Sequence, residues 1–428
     1  MEATARPALL MCCAPMTGHF IPTFKFAKGL LSQGWEVIIL TGSRFRHEVE
    51  SSGGLFVSLE GDADISEEEI ASRWPTIQTT PKGPQQLAKL LKHLFIDFIP
   101  AQFSILQRTL QNLHTKYPQK SIIAICESGF TGILPVLYGA PGLKPAATIK
   151  INVTVMTMPS LHAAPEFAEI LIALHEKLKE TGVTPSRQLL LDNGWTLSDR
   201  SFQASCPSLE YPHNHAASTF KFLGGVPRIN PGHWTTKPPF WGEIVRKLGS
   251  KIIVGVCQGT VQSDLNDLVA PTLYALKDCS NILVVVVVGK KGGTLPPDIM
   301  LPNNARVWDY IPFDQLLQHT DIFITTCGYG ALQEAIANGV PLLAAGDTEE
   351  KFEICCRAER AGVAVNLKTG TPTPRQIKEG VDTILSDPKY KQRALDLKAE
   401  MESFDPLGIL IEGIQDVIKE KLDRNIIP

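Results

Sequence analysis

Two side chains in the first third of the chain have the types that general acid–base chemistry needs. His19 lies in the turn Pro15-Met16-Thr17-Gly18-His19-Phe20-Ile21-Pro22, directly after an apolar run, and Glu127 closes a second apolar run at 121–127. An imidazole with an ordinary pKa of about 6.5 is largely neutral near pH 7 and can accept a proton from a hydroxyl. A carboxylate beside it would hold one tautomer and stabilise the ring once protonated. Each residue also has a plainer use. The histidine can cap a helix or sit satisfied in a core, and the glutamate can complement the positive end of a helix. The local sequence leaves both uses open.

A second constellation occupies residues 322–351, where an apolar run is followed by Gly328-Tyr329-Gly330, a helical pattern and a further run at 340–343. Glycines allow the backbone to approach a ligand closely, and the helix they open presents free N–H groups and the positive end of its dipole. That arrangement suits a pyrophosphate, and it would also stabilise the charge that grows on a departing diphosphate. Gly259 and Thr260, after the run at 251–259, form another small-residue turn with a hydroxyl available for phosphate. Glu334 and Glu350 are spaced to accept from ribose or sugar hydroxyls. A lone Gly-Tyr-Gly is equally a plain tight turn, and a solvated charge is the commoner fate of any glutamate.

These residues fall at the ends of strands. Apolar runs at 8–15, 36–42, 121–127, 147–155, 251–259, 281–290 and 321–328 alternate with helical patterns, for instance at 22–34 and 265–277. Continuous apolar strands joined by helices predict parallel sheets covered on both faces. The segment 226–243, dense in Pro, Gly and Trp and without periodicity, reads as an interdomain linker. The α/β pattern restarts after it, so the expected organisation is one Rossmann-like domain over 1–225 and a second over 244–404. Ligands of open parallel sheets bind beyond the carboxyl ends of the strands, where each residue named above lies.

Composition narrows the partners. A net charge of -3 over 428 residues gives no long-range field favouring nucleic acid or an anionic membrane. No run of about 18 apolar residues is present, so stable membrane insertion is not expected. The nine cysteines show neither CxxC pairs nor zinc-type Cys/His spacing and read as reduced thiols of a cytoplasmic protein, with no metal site. The first residues lack the small-residue cleavage site of a leader. In that compartment the Asn152-Val153-Thr154 sequon carries no meaning.

At this point the chain resembles the inverting, two-domain glycosyltransferases of the family that includes plant and microbial UDP-glycosyltransferases. The resemblance runs from 8–45 through the nucleotide segment 311–351, and is strongest to fungal and bacterial members in PLLAAGDTEEKFE and VNLKTGTPTPRQI. It implies the GT-B fold, with two Rossmann-like domains whose parallel sheets face a central cleft, and a final helix over 405–428 returning to the first domain. It implies His19 as catalytic base and Glu127 as the acid that orients it. The donor set it implies comprises Gly18, Gly259, Thr260, Tyr310, Ile311, Thr326, Gly328, Tyr329, Gly330, Glu334, Glu350 and Lys351. Within that set Tyr310 stacks on uracil, Glu334 binds ribose, and Glu350 with Lys351 stands where the family has an Asp-Gln pair for the sugar.

Three positions depart from the family pattern. Thr326 replaces a His or Asn that donates to the diphosphate, Ala331 replaces a Ser on the phosphate, and Glu127 replaces an Asp. The implied reaction needs a UDP-sugar co-substrate, with glucose the expected sugar, and no cofactor or metal. The implied acceptor is a lipophilic small molecule, bound in the first half near the Leu-, Ile- and Phe-rich stretches at 85–110 and 167–178. A non-catalytic activator on the same fold, or a sugar-nucleotide epimerase, are the rival readings. The departures at 326 and 331 favour the activator; His19 together with Glu127 disfavours it, and the apolar stretches disfavour the epimerase.

Overall fold

β1 (Ala8–Cys12) is five apolar residues, all buried, and it pairs in parallel with strands on both sides. In the computed structural model, which describes residues 6–81, 83–155, 168–183, 197–212, 218–228, 234, 236–246, 251–259, 264–348 and 350–423, it lies within a seven-stranded sheet. The other strands are β2 (Val37–Thr41), β3 (Leu55–Ser58), β4 (Ile122–Glu127), β5 (Ala147–Asn152), β6 (Arg200–Gln203) and β7 (Phe220–Phe222), in the order β3-β2-β1-β4-β5-β6-β7. All the pairings are parallel. Each face is closed by an apolar layer, as a parallel sheet requires.

The order reverses between β1 and β4, whose register sets Cys12 opposite Cys126. At such a switch point the connections leaving the two strands run in opposite directions and open a crevice at the carboxyl edge. One wall of the apolar layer comes from the end of the chain. The helix Pro406–Asp423 buries Leu410, Gly413, Ile414 and Val417. A Cβ on Gly413 would stand 2.4 Å from the Phe202 ring, and one on Gly29 would stand 2.8 Å from Leu407.

A second sheet has six strands, β8 (Ile252–Cys257), β9 (Ile282–Val287), β10 (Ala305–Trp308), β11 (Ile322–Thr325), β12 (Leu342–Ala344) and β13 (Ala364–Asn366). Their order is β10-β9-β8-β11-β12-β13, again wholly parallel. The reversal falls between β8 and β11, so this sheet has its own switch point. The chain divides into two compact units: Met1–Ser205 with Pro212–Ile229 and Phe404–Pro428, and Cys206–Tyr211 with Asn230–Ser403. A short piece between β6 and β7 therefore belongs to the second unit. Residues 229–233 and 235 of the 226–243 stretch lie outside the described residues; within the rest, Trp241–Val245 forms a short helix, with Glu243 paired to Arg306 at 2.8 Å.

The first helix differs from expectation. It runs Thr17–Ser32 with Pro22 inside it, so it starts five residues before the proline that reads as its beginning. Pro22 removes only the donor for the Gly18 carbonyl, and the turn ahead is held by the N–H groups of His19 and Phe20 on the Met16 carbonyl at 3.0 and 2.8 Å. His19 is thus on the first helical turn. Among the described residues no helix is long and apolar enough to cross a membrane.

Candidate active site

Because β1 and β4 are neighbours, the helix leaving β1 brings His19 onto the last residue of β4. His19 Nδ1 lies 2.7 Å from Glu127 Oε1. The Glu127 side chain is fully buried and the His19 side chain is 16% exposed, so the carboxylate is sealed while the imidazole can be reached. Burying a carboxylate is costly unless it is hydrogen-bonded. Here Oε1 also accepts from the Ser128 hydroxyl at 2.6 Å and the Gly129 N–H at 2.8 Å, and Oε2 accepts from the Ala14 N–H at 3.4 Å. Burial pushes the Glu127 carboxyl up, but the His19 charge and hydrogen bond, with Ser128 and Gly129, outweigh it and hold the group below the ordinary carboxylate value. An ionised Glu127 accepts a hydrogen bond from Nδ1–H, which leaves the lone pair of a neutral imidazole on Nε2.

Glycine is required at 129. A Cβ there would come within 2.8 Å of His19 Nδ1 and 2.9 Å of Phe95 Cε1. Phe95 sits on a π-helical turn, Lys92–Ile96, a local widening that recurs at functional sites. Its ring centre is 5.5 Å from that of His19. Behind Glu127 the polar contacts continue from Ser128 to Thr154 at 3.2 Å, from Thr154 to Asn152 at 2.9 Å and from Asn152 to Gln203 at 2.7 Å.

A cavity of about 120 Å³ opens at this pair. Leu91, Phe95 and Leu134 give it an apolar side, whereas Thr148, Lys150 and Asn152, alternate residues of β5 on one face of the pleat, give it a polar one.

At the second switch point, the turns after β8 and β11 are joined by the Thr326 hydroxyl, which donates to the Gln258 carbonyl at 2.8 Å. Gly259 has φ +90 and Gly289 φ +89, a region that favours glycine. A Cβ on Gly289 would stand 3.2 Å from the Gly259 carbonyl oxygen, so the turn after β9 also closes on this edge. Gly328 is the N-cap of the helix Tyr329–Ala337 and, like Gly330, has open space where a Cβ would be. Tyr310 is 40% exposed. Burial raises its phenol pKa, and the Asp314 and Glu334 carboxylates add to the rise, which sets Glu334 in the field of the Tyr310 hydroxyl.

The other expected donor residues are placed as follows. The Thr326 side chain is buried and its one proton is given to Gln258, so its hydroxyl ties the two turns together. The Tyr329 ring is buried with its hydroxyl 2.6 Å from Glu210 Oε1, which leaves only its backbone for a ligand. Ile311 is buried in the same sense. Gly18 is the second residue of the helix Thr17–Ser32, in the first unit beside His19. Glu350 is the N-cap of the helix Lys351–Arg360, and Lys351 is buried with Nζ 3.2 Å from the Thr348 hydroxyl. Thr260 lies outside the described residues. Sequence reading missed Ser128 and Gly129, although both stand next to Glu127 at a strand end. It also missed Gly289 and Glu210, for which no local signal exists.

Residues 275–410 match the erythromycin biosynthesis protein CIII-like C-terminal domain. The chain is 34% identical to UDP-glucosyltransferase A1 of Starmerella bombicola, with 96% of this chain and 92% of that protein covered. It is 26% identical to 4'-demethylrebeccamycin synthase of Lentzea aerocolonigenes, with 96% and 99% covered. Among solved structures, the glycotransferase of kitacinnamycin superposes with a TM-score of 0.69 at 16% identity, covering 100% of both chains. CalG4, the calicheamicin glycosyltransferase, does so with a TM-score of 0.67 at 17% identity, covering 97% and 99%. Two Rossmann-like units, each with a parallel sheet and a switch-point turn cluster, define the GT-B class of glycosyltransferase folds. The likeness to UDP-glucosyltransferases over nearly the whole length goes further: the chain belongs to the UDP-glycosyltransferase family and is an enzyme that uses a UDP-sugar as glycosyl donor.

Proposed function

We propose that the enzyme transfers glucose, with inversion, from UDP-glucose to a hydroxyl of a lipophilic small molecule of terpenoid, sterol, polyketide or phenolic type. The observation that carries this reading is the His19–Glu127 contact of 2.7 Å at the mouth of a cavity with one apolar side. His19 Nε2 takes the acceptor hydroxyl proton as the oxygen attacks the anomeric carbon. Attack comes from the face opposite the nucleotide, the bond from that carbon to the diphosphate oxygen breaks, and its electron pair leaves with UDP. Glu127 keeps the proton on Nδ1 and offsets the imidazolium charge as it forms.

On the donor side, Tyr310 stacks on uracil and Glu334 accepts from ribose. The first N–H groups of the helix Tyr329–Ala337 take the growing diphosphate charge without a metal ion. Glu350 and Lys351 hold the sugar. Nine thiols and no disulfide suit a reducing compartment, and we assign the reaction to the cytoplasm.

The test is incubation of the purified protein with UDP-glucose and a panel of hydroxylated terpenoids, sterols, polyketides and phenolics, reading both UDP release and glucoside mass. Stoichiometric UDP and β-glucoside with at least one class are expected. UDP release that no listed acceptor class accelerates would remove the acceptor assignment.

A further inference from the structure

We infer that Glu210 is a positioning residue for the donor diphosphate, acting through the Tyr329 hydroxyl to fix the start of the helix Tyr329–Ala337. The inference rests on the donor reading above, and it gives work to a buried polar cluster that the mechanism leaves unused.

Glu210 and Arg357 form an ion pair in which both side chains are fully buried. The other Glu210 oxygen accepts from Tyr329 at 2.6 Å. Arg357 also lies 4.5 Å from the centre of the Tyr211 ring and 3.3 Å from a Glu353 oxygen. Arg360 donates to the main-chain carbonyls of Leu209 and Glu210. Residues Cys206–Tyr211, which in sequence interrupt the passage from β6 to β7, are thereby fixed within the second unit. A buried ion pair is seldom the most stabilising way to fill a core, and apolar residues of similar volume often do better. What the pair supplies is a charged acceptor, and hydrogen bonds to charged acceptors are short, strong and directional.

The direction matters because of what Tyr329 begins. It is the first residue of the helix, Gly328 before it offers no capping side chain, and a Cβ on Gly328 or Gly330 would meet nothing within 4 Å. The Cβ directions of both glycines face open space, so the turn is held from behind. Cys327, just ahead, has φ 61, a conformation that L residues keep only where the surroundings impose it. On its N-terminal side the Thr326 hydroxyl binds the Gln258 carbonyl at 2.8 Å, and the Cys327 N–H binds the Thr325 hydroxyl at 3.2 Å. On its C-terminal side the Tyr329–Glu210 bond is the matching anchor. Together they fix the backbone between 326 and 329 against a strain that would otherwise relax.

The experiment is calorimetric titration of the full-length protein with uridine and, separately, with UDP, on wild type, Tyr329→Phe and Glu210→Gln, alongside thermal melting. Uridine reads the base and ribose contacts; the gain from uridine to UDP reads the diphosphate grip. Tyr329→Phe keeps the ring and should weaken UDP by about tenfold, the scale of one charge-assisted hydrogen bond, while uridine changes by less than about twofold. Glu210→Gln should move UDP in the same direction. If it does not fold, Glu210→Gln with Arg357→Met replaces it; this leaves no fully buried unpaired charge, because Glu353, the other carboxylate beside Arg357, is partly exposed. Equal weakening of uridine and UDP, or a lower melting temperature with both affinities unchanged, would overturn the inference by reducing the cluster to a stabilising role. Wild type that binds UDP no more tightly than uridine would overturn the donor-helix reading itself, and the inference with it.

Discussion

The Nδ1 of His19 and the Oε1 of Glu127 lie 2.7 Å apart across the point where the first sheet reverses its strand order. The second sheet repeats the device, with Thr326 bound to the Gln258 carbonyl across the β11 and β8 turns at 2.8 Å. In each unit the side chain after one strand is tied to the end of its neighbour; in the first the assigned chemistry sits on the tie, and in the second it sits beside it.

Glu127→Gln preserves volume but removes the charge that selects the His19 tautomer. Its amide can present an N–H to Nδ1 and turn the basic nitrogen away from the acceptor. The expected result is a kcat lower by about 10²- to 10⁴-fold, with the calorimetric Kd for UDP unchanged.

Stability should carry the same carboxylate's signature. A group whose folded pKa is depressed stabilises the protein above its unfolded pKa and loses that contribution as pH falls through the folded value. Glu127 is such a group. In urea titrations the stability of wild type relative to Glu127→Gln should shrink as pH falls below about pH 4.3, the unperturbed value. A difference that grew on acidification below that pH would show that the sign is wrong.

Gly129→Ala puts a methyl group 2.8 Å from His19 Nδ1 and 2.9 Å from the Phe95 ring. Relief requires one of those side chains to move, at a cost of about 1–3 kcal/mol. Both side chains are only partly buried, and a shift of either disturbs the seat of the imidazole, so kcat should fall by about tenfold or more while far-UV circular dichroism stays native.

Tyr310→Ala removes the exposed ring assigned to uracil. Loss of one base–aromatic stack should weaken UDP binding by about 1–3 kcal/mol, and Tyr310→Trp should restore it. Equal affinity in wild type and Tyr310→Ala would place the base elsewhere.

How far these relations are visible in sequence depends on their range. The long strands were legible because apolar runs such as Ile282–Val287 have no other use, and the helix Tyr329–Ala337 was legible from its glycines. β3, β6, β7, β10 and β13 are not, being three or four residues with a polar member each, and only their neighbours make them strands. The base and its acid were legible as residue types at strand ends, but their contact depends on β1 and β4 being adjacent, which is a property of topology. Tyr329 belongs to the donor set that the resemblance implies, as the middle residue of Gly328-Tyr329-Gly330, and its type says nothing of which way the ring turns. The residue that turns it inward, Glu210, is 119 positions away, and nothing around residue 210 announces the partnership.

The central claim is tested most directly by His19→Ala, assayed with UDP-glucose and any acceptor the wild-type enzyme accepts, with the product's anomeric configuration read by NMR. The prediction is that wild type yields only the β-glucoside, and that the variant binds UDP normally yet loses at least about 10³-fold in kcat. A variant that retains wild-type turnover, or a wild-type product with the α configuration, would contradict it.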